Sequence, residues 1–256
     1  MLNYGELRPL LVKLRLNGIT EILEETIREA MNEKWEYSKL LMYLFSKEVD
    51  RRNHKQNCYR LQKSNLDPRK SLEVFNFSFN KNLNEKIIKE LGHCNFIENN
   101  ENIFFVGPSG VGKTHLANGI GLSACRKGYD VIFKRTSNLL EELNSGNGDG
   151  TFNKKLKMLI DVPVLILDDF GLISLSEKYQ LYLYDIICER YESRSTIITS
   201  NRDFSEWINI FSNPLMGSAA MDRLVHKALK ITINGDSFRT EEFKIKQKNI
   251  NNIDKN

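Results

Sequence analysis

Apolar residues recur along the chain with two different spacings. Short, largely apolar runs at 103–106, 131–133, 164–167, 196–198 and 230–233 are bounded by polar residues, a pattern typical of buried strands. Between these runs, apolar residues recur every three or four positions and predict helices, which lie near residues 83–91, 115–127, 139–143, 156–160 and 176–194. The alternation of strands with helices predicts an α/β domain with a parallel sheet.

The N-terminal part shows helical spacing only. Apolar stripes predict helices within residues 1–33, with a break at Asn17-Gly18, and a third, longer helix from near Trp35. The sequence therefore predicts a small all-helical domain over residues 1–66. A domain of this size is too small to be stable without a partner surface.

Changes in composition divide the rest of the chain. Pro68 breaks the preceding helix, and residues 67–80 are interpreted as a linker into a domain over 81–240. The Lys- and Asn-rich residues 241–256 are predicted to form a disordered tail. The glycine-rich stretch 144–150 is predicted to be a flexible loop.

Bulk composition limits the class of protein. The chain has 256 residues, a net charge of +4 and 41% hydrophobic residues, as in ordinary globular proteins. Its four cysteines are scattered without a Cys-x-x-Cys pair, which argues against a zinc site or a disulfide framework. No apolar run approaches the ~18 residues of a membrane helix, and the N-terminus lacks a signal-peptide pattern. We therefore expect a cytoplasmic protein with no membrane partner.

A glycine-rich motif follows the first strand directly. Residues 107–114 read Gly-Pro-Ser-Gly-Val-Gly-Lys-Thr, which is the P-loop pattern. The backbone N–H groups of such a loop point at a phosphate, and Lys113 brings a positive charge to the β- and γ-phosphates. Thr114 offers its hydroxyl to Mg²⁺, and the following helix presents the positive end of its dipole to the anion. The strand before the motif and the helix after it disfavour a chance match, so the sequence predicts binding of a nucleoside triphosphate.

Two later strands end in polar residues. Asp168 and Asp169 follow the run 164–167, and Asn201 follows the run at 196–198. Ligands bind at the C-terminal ends of parallel strands. Asp168 fits a residue that holds Mg²⁺ through water, and Asp169 fits a general base for the attacking water. The alternative, that the two carboxylates merely cap a turn, is disfavoured by the P-loop upstream. Asn201 either bonds the γ-phosphate or the water, or is an ordinary strand-end residue.

The stretch 51–70 is strongly basic. Its cationic residues are Arg51, Arg52, Lys55, Arg60, Lys63, Arg69 and Lys70, against the single acid Asp67. One interpretation is a helix end that contacts DNA phosphates. The other is a solvated helix face that continues into a basic linker. Three phenylalanines that alternate with polar residues over 75–79 either pack on the core or lie beside an adenine base.

Taken together, these motifs resemble the AAA+ superfamily. The P-loop, the paired aspartates, the strand that ends in Asn and a late Asp-Arg-Leu at 222–224 carry the resemblance. Three segments are similar to the branch of DnaC-type helicase loaders and IstB-type transposition helper proteins, namely 107–117, 166–171 and 196–201. Further segments resemble the IstB type in particular, namely 16–19, the basic helix near 51–63, 204–207 with 211–214, and 222–226 with 235–239.

This resemblance implies a fold and a function. The fold would be an AAA+ P-loop parallel sheet sandwiched by helices, without a full helical lid because little chain follows Arg239, and with a small N-terminal all-helical domain. The function would be that of an ATP-dependent DNA-binding transposition helper. Such a protein would be a bacterial cytoplasmic homo-oligomer that binds double-stranded DNA largely without sequence preference and assists its cognate transposase.

The resemblance also implies roles for individual residues. ATP would be bound by Gly107, Pro108, Ser109, Gly110, Val111, Gly112, Lys113, Thr114, His115 and Arg239. Thr114 and Asp168 would hold Mg²⁺. Catalysis would fall to Lys113, Asp168, Asp169, Asn201 as a sensor, and Arg223 as an arginine finger offered across a subunit interface. Arg223 could instead be a surface salt-bridge residue. DNA would be contacted by Arg51, Arg52, Lys55, Arg60 and Lys63.

Departures from the family pattern and rival functions also follow from the sequence. Many AAA+ proteins carry Glu where this chain has Asp169, and the shorter side chain predicts slow hydrolysis. Arg202 follows the sensor residue where relatives often have an uncharged side chain. One rival is a DnaC-like replicative helicase loader built on the same ATPase core. The other is a small-molecule kinase, which would not need both Asn201 and Arg223.

Overall fold

The structure is a computed structural model that describes residues 4–80, 82–172, 174–241, 243, 244 and 247, and a parallel sheet organises its larger part. The strands are β1 (Asn102–Val106), β2 (Val131–Arg135), β3 (Val164–Asp168), β4 (Ser195–Ser200) and β5 (Ala228–Thr232). They lie in the order β2-β3-β4-β1-β5, and all neighbouring pairs are parallel. The predicted parallel α/β domain is therefore confirmed.

Helices precede the sheet and connect its strands. The α-helices are α1 (Tyr4–Lys13), α2 (Asn17–Asn32), α3 (Tyr37–Ser64), α4 (Glu85–Gly92), α5 (Asn95–Glu98), α6 (Lys113–Arg126), α7 (Thr136–Asp149), α8 (Phe152–Asp161), α9 (Glu177–Arg190) and α10 (Pro214–Val225). Short 3₁₀ helices span Leu72–Val74, Phe77–Phe79 and Phe204–Ile210. The helices between successive strands return the chain to the end of the sheet at which every strand begins. All five strands therefore run in the same direction.

The sheet is covered on both faces. Successive side chains of β1 alternate between the faces. Ile103 and Phe105 belong to one buried cluster with Leu116 and Ile120 of α6. Phe104 and its neighbour Val106 belong to the other cluster, which α7, α9 and α10 complete. Burial on both faces explains why the strands are continuous apolar runs instead of alternating ones.

The chain divides into two compact units, the first ending at Tyr59 and the second beginning at Arg60. In the first unit, a small apolar cluster joins the three helices. Glu48 of α3 is buried and accepts hydrogen bonds from the backbone N–H of Gly18 (2.5 Å) and Ile19 (3.3 Å). A carboxylate from a neighbouring helix therefore caps α2, whose own preceding residue, Leu16, has no capping side chain.

The observed boundary differs from the predicted one at residue 66. Leu61 and Leu66, at the end of α3, pack into the core of the second unit, so the last turns of α3 belong there. The segment 67–80 is likewise packed instead of free, because Leu72, Phe75 and Phe77 lie against the same core. Apolar burial thus overrides the linker-like composition of this segment.

Two predictions of irregular structure are wrong for residues that the structure describes. Helix α7 continues to Asp149, through most of the predicted loop at 144–150. A Cβ at Gly146 would lie 2.9 Å from Phe152 N, so glycine here permits the close approach of α8. Residues 241, 243, 244 and 247 of the predicted disordered tail are helical, and the Glu241 N–H donates to Ser237 O at 3.1 Å. The remaining tail positions lie outside the described residues.

Candidate nucleotide-binding site

The glycine-rich motif forms a tight loop between β1 and α6. Gly112 has φ +100°, and a Cβ at this position would lie 2.7 Å from Phe75 Cε2. Only glycine fits this combination of left-handed backbone and close contact. The loop is also fastened to a late part of the chain, since the Phe238 N–H donates to Gly110 O at 3.0 Å and the Ile233 N–H donates to Val106 O at 2.8 Å.

Lys113 begins α6 and is folded back into the loop. Its Nζ donates to Gly107 O at 2.8 Å and to Pro108 O at 2.6 Å, and the side chain is buried. Burial lowers the pKa of Lys113, and the charges of Asp169 and Asp168 oppose that shift. The lysine charge is therefore held at the loop, in the place where a P-loop neutralises phosphate.

Asp168 ends β3 inside a network of hydroxyl groups. Its Oδ1 accepts hydrogen bonds from Thr114 Oγ1 at 2.7 Å and from Thr199 Oγ1 at 2.5 Å. Its backbone carbonyl accepts from Thr136 Oγ1 at 3.0 Å. The Thr114 hydroxyl and the Asp168 carboxylate therefore lie side by side at the C-terminal end of β3. The sequence analysis did not identify Thr199 as a site residue. Strands β3 and β4 pair in parallel with Leu167 opposite Ile198, so the next residues along the two strands, Asp168 and Thr199, lie beside each other.

Asp169 turns the chain out of the sheet. Its φ of +55° is left-handed, and its N–H donates to Thr199 Oγ1 at 3.2 Å. Burial and the charge of Asp168 raise the pKa of Asp169, and Arg135 opposes that shift. Arg135 Nε lies 3.6 Å from Asp169 Oδ2. Sequence reasoning missed Arg135, whose position at the C-terminal end of a strand was the available signal.

These groups surround a cavity of about 380 Å³. Besides the loop residues 109–115 and both aspartates, the cavity is lined by Asn201 and Arg239. His115 lines it as well, but its Nε2 donates to Ser71 O at 2.9 Å, which ties the segment 67–80 to α6. Gly107 and Pro108 contribute the carbonyls that hold Lys113.

The phenylalanines of the segment 67–80 pack on the core and also line the cavity. Phe75 and Phe77 pack on the core. Phe75 and Phe79 also line the cavity, and Phe79 meets Phe238 edge-on with ring centroids 5.1 Å apart.

Arg223 lies away from the cavity. It belongs to α10, where its Nη1 donates to Ala219 O at 2.9 Å and its guanidinium lies 6.0 Å from the ring centroid of Tyr184. It therefore does not contact the nucleotide site of its own chain.

The predicted DNA-contacting residues fall into two groups. Arg51 and Arg52 form ion pairs with Glu48 at 3.3 and 2.7 Å, and Arg60 pairs with Asp130 at 3.4 Å. These three arginines thus have partners within the fold. Lys55 and Lys63 have exposed side chains, and Lys63 also interacts with other residues of the chain.

The side chains at the site fit a metal ion that is bound mainly by phosphate and water better than one that is coordinated entirely by protein ligands. Among the residues that the structure describes, there is no group of three or more His, Cys, Asp or Glu side chains that could hold a metal. Mg²⁺ in nucleotide sites needs only one or two protein ligands, because phosphates and waters complete its coordination. Thr114 and Asp168 meet that requirement.

Fold and site together define a class of protein. A P-loop after β1, an aspartate pair after β3 and an asparagine after β4, on a sheet ordered β2-β3-β4-β1-β5, form a nucleotide-binding domain of the AAA+ class. The family described as IstB-like ATP binding protein matches residues 9–246, and the chain belongs to that family.

Relatives and solved structures agree with this assignment. An ATP-binding protein of the insertion sequence IS5376 from Geobacillus stearothermophilus is 34% identical over 211 residues, which cover 82% of this chain and 84% of the relative. A structure of the replication initiator DnaA bound to AMPPCP and single-stranded DNA is 27% identical with a TM-score of 0.58, covering 73% of this chain and 57% of that chain. The DnaC helicase loader is 29% identical with a TM-score of 0.52, covering 58% of this chain and 87% of that chain. Within the described residues, no helix is both long and apolar enough to cross a membrane.

Proposed function

We propose that this protein is a Mg²⁺-dependent ATPase that assembles on double-stranded DNA and assists the transposase of an insertion sequence. One observation carries the proposal: Lys113, the pair Thr114–Asp168, Asp169 and Asn201 meet at a single cavity. This arrangement supplies a phosphate cradle, a metal-binding pair and a base for water. The insertion-sequence names of the relatives supply the biological setting.

Residues of this chain would divide the hydrolytic work. Backbone N–H groups of the loop and Lys113 hold the phosphates, and Thr114 and Asp168 hold Mg²⁺, which neutralises charge on the β- and γ-phosphates when it is bound. Asp169 accepts a proton from the attacking water, and the raised pKa of its carboxyl favours this role over that of an inert surface acid. Asn201 orients the water or the γ-phosphate.

Assembly would complete the site. Arg223 is separated from the cavity of its own chain, so a finger role requires a second copy. In this proposal ATP joins two subunits, because the P-loop of one subunit and Arg223 of its neighbour share the γ-phosphate. DNA would be bound through exposed cations such as Lys55 and Lys63, which contact phosphates without reading bases.

The test is the ATPase rate of the purified chain with and without duplex DNA, over a series of salt concentrations. We expect turnover that requires Mg²⁺, rises with duplex DNA and loses that stimulation as salt increases, since phosphate contacts release counterions. Lys113→Ala is the control and should abolish turnover under every condition. No hydrolysis by the wild-type chain, with or without DNA, would contradict the proposal.

A second candidate is a replicative helicase loader. The likeness to the DnaC helicase loader favours it, but that likeness covers 58% of this chain, whereas the IstB-like family match extends over residues 9–246. Co-purification with a transposase of the same insertion sequence, compared with the replicative helicase of the same cell, separates the two functions. Retention of the helicase alone would favour the loader.

A further inference from the structure

The cavity extends beyond the phosphate loop into a region of different chemistry. This outer part is lined by Val74, Phe75, Phe79 and Phe238, together with Asn76 and Asn80. Aromatic and aliphatic side chains with a few amides match a flat heterocycle that has polar edges. With the phosphates at the loop, the base of a bound nucleotide would lie in this outer part.

Asn80 is the unusual member of this lining. Its side chain is only 5% exposed, and its Nδ2 is buried without a hydrogen-bond partner among the residues that the structure describes. A buried amide donor left unpaired costs free energy, and native proteins retain few such groups without a reason. The backbone of Asn80 is engaged, since its carbonyl accepts from the Leu83 N–H at 3.0 Å, so only the side-chain amide is left over.

The other cavity asparagine in this segment shows the contrast. Asn76 Oδ1 accepts hydrogen bonds from the backbone N–H of Ser78 (3.1 Å) and Phe79 (3.3 Å) and from Ser78 Oγ (2.6 Å). Asn76 therefore has a structural task, because it caps the short helix Phe77–Phe79. Within the described part of the chain the Asn80 side-chain nitrogen makes no hydrogen bond, although the two residues occupy the same segment.

We propose that Asn80 is the residue that recognises the nucleobase, and that it selects adenine. This inference rests on the proposed ATP-binding function and adds a residue and a mode of recognition to it. A carboxamide presents one donor and one acceptor side by side, which match the N7 acceptor and N6 donor of adenine. The corresponding edge of guanine or hypoxanthine presents two acceptors, and the carboxamide can satisfy only one of them.

The inference predicts opposite effects of one substitution on stability and on binding. Asn80→Leu keeps a similar volume and removes the unpaired donor, so the nucleotide-free variant should melt at or above the wild-type temperature. The same variant should lose most of the preference for ATP over ITP. Wild-type protein should bind ATP about tenfold more tightly than ITP, as is usual for one bidentate pair.

The experiment is competition of unlabelled ATP, ITP, GTP and 7-deaza-ATP against a ribose-labelled fluorescent ATP, with thermal melts of the same samples. Asn80→Gln should restore part of the ATP preference. Asn80→Asp should lower ATP affinity, because it lacks the donor, whereas Asn84→Asp makes the same chemical change at the cap of α4 and should leave the preference unchanged. In wild type, 7-deaza-ATP should compete more weakly than ATP, because it lacks N7.

The outcomes separate this inference from the proposed function. A wild-type ATP:ITP ratio in Asn80→Leu would overturn the role of Asn80 while leaving ATP binding intact. Equal wild-type affinity for ATP and ITP would do the same. Failure of wild-type protein to bind any of these nucleotides would instead overturn the ATPase proposal itself.

Discussion

Arg135 Nε at the end of β2 lies 3.6 Å from Asp169 Oδ2, just beyond the end of β3. The arginine side chain is 65% exposed and the aspartate side chain 34% exposed, so the pair lies at the mouth of the cavity. The positive charge of Arg135 stabilises the ionised form of the carboxylate that we assign as the base. It therefore opposes the effects of burial and of Asp168, which raise the pKa of that carboxyl.

The first prediction follows from this pair. Arg135→Gln should raise the pKa of Asp169 further, because it removes a cation that lowers it. The base works only when ionised, so the acid limb of the ATPase pH profile should move to higher pH. Lys134→Gln is the control, since Lys134 pairs with Glu142 instead. An unchanged acid limb in Arg135→Gln would mean that Asp169 does not set it.

The second prediction concerns Asp169 itself. Asp169→Asn keeps the shape of the side chain but cannot accept the proton of water, so hydrolysis should fall about 100-fold or more. Binding of ATP should survive, because the loop, Lys113 and Thr114 are untouched. The variant should therefore accumulate on DNA in an ATP-dependent manner, which a filter or gel-shift assay measures. Wild-type turnover in Asp169→Asn would remove this residue from the mechanism.

The third prediction concerns Thr199, which bonds both members of the aspartate pair. Thr199→Val keeps the shape but leaves Asp169 N without its acceptor and Asp168 Oδ1 without one donor, a loss of about 1–3 kcal/mol per buried group. We expect weaker Mg²⁺-dependent nucleotide binding and slower turnover, measured by titration of Mg²⁺ at fixed ATP. Thr199→Ser retains the hydroxyl and should recover most of the Mg²⁺ affinity. Equal defects in both variants would indicate a packing role only.

The fourth prediction concerns subunit contact. Arg223→Ala should bind ATP but neither assemble nor hydrolyse normally. Lys113→Ala should fail to bind ATP while still carrying Arg223. If Arg223 acts in the site of a neighbour, mixing the two inactive variants should restore part of the activity, because mixed interfaces pair an intact P-loop with an intact arginine. Mixtures that stay as inactive as their components would argue against a finger.

The fifth prediction concerns stability alone. Arg190 is buried near the N-terminal ends of β3 and β4, far from the candidate nucleotide site. Its Nη1 donates to Leu159 O (2.8 Å) and Val162 O (2.8 Å), and its Nε donates to Thr196 Oγ1 (3.1 Å). Arg190→Met removes these bonds and should cost about 3–5 kcal/mol of unfolding free energy. Thermal melts should show the loss, while ATP affinity measured well below the melting temperature should stay unchanged. A variant of Arg194, an exposed residue nearby, serves as the control.

The sequence predicted the strands, the glycine-rich loop between β1 and α6 and the position of Asp168 at the end of β3, because each depends on local pattern. It could not predict Thr199 and Arg135 as site residues, since their proximity to the aspartates depends on the order of the strands. For the same reason it could not predict that Arg51 and Arg52 form ion pairs with Glu48, because Glu48 becomes buried only when α2 and α3 pack together. Asn80 was assigned to a linker because its burial depends on contacts with distant parts of the chain.

The hydrogen bond from the Phe238 N–H to Gly110 O joins the phosphate loop to a part of the chain that is distant in sequence. A stretch late in the second unit, at Phe238, contacts the loop that would receive phosphate, and the segment 67–80 contacts the same loop through Phe75. Two segments that are about 160 residues apart in the sequence therefore support the same loop, one from each side of the sheet-forming part of the chain. The shape of the P-loop thus depends on residues outside its own motif, so a change in either segment also changes the loop.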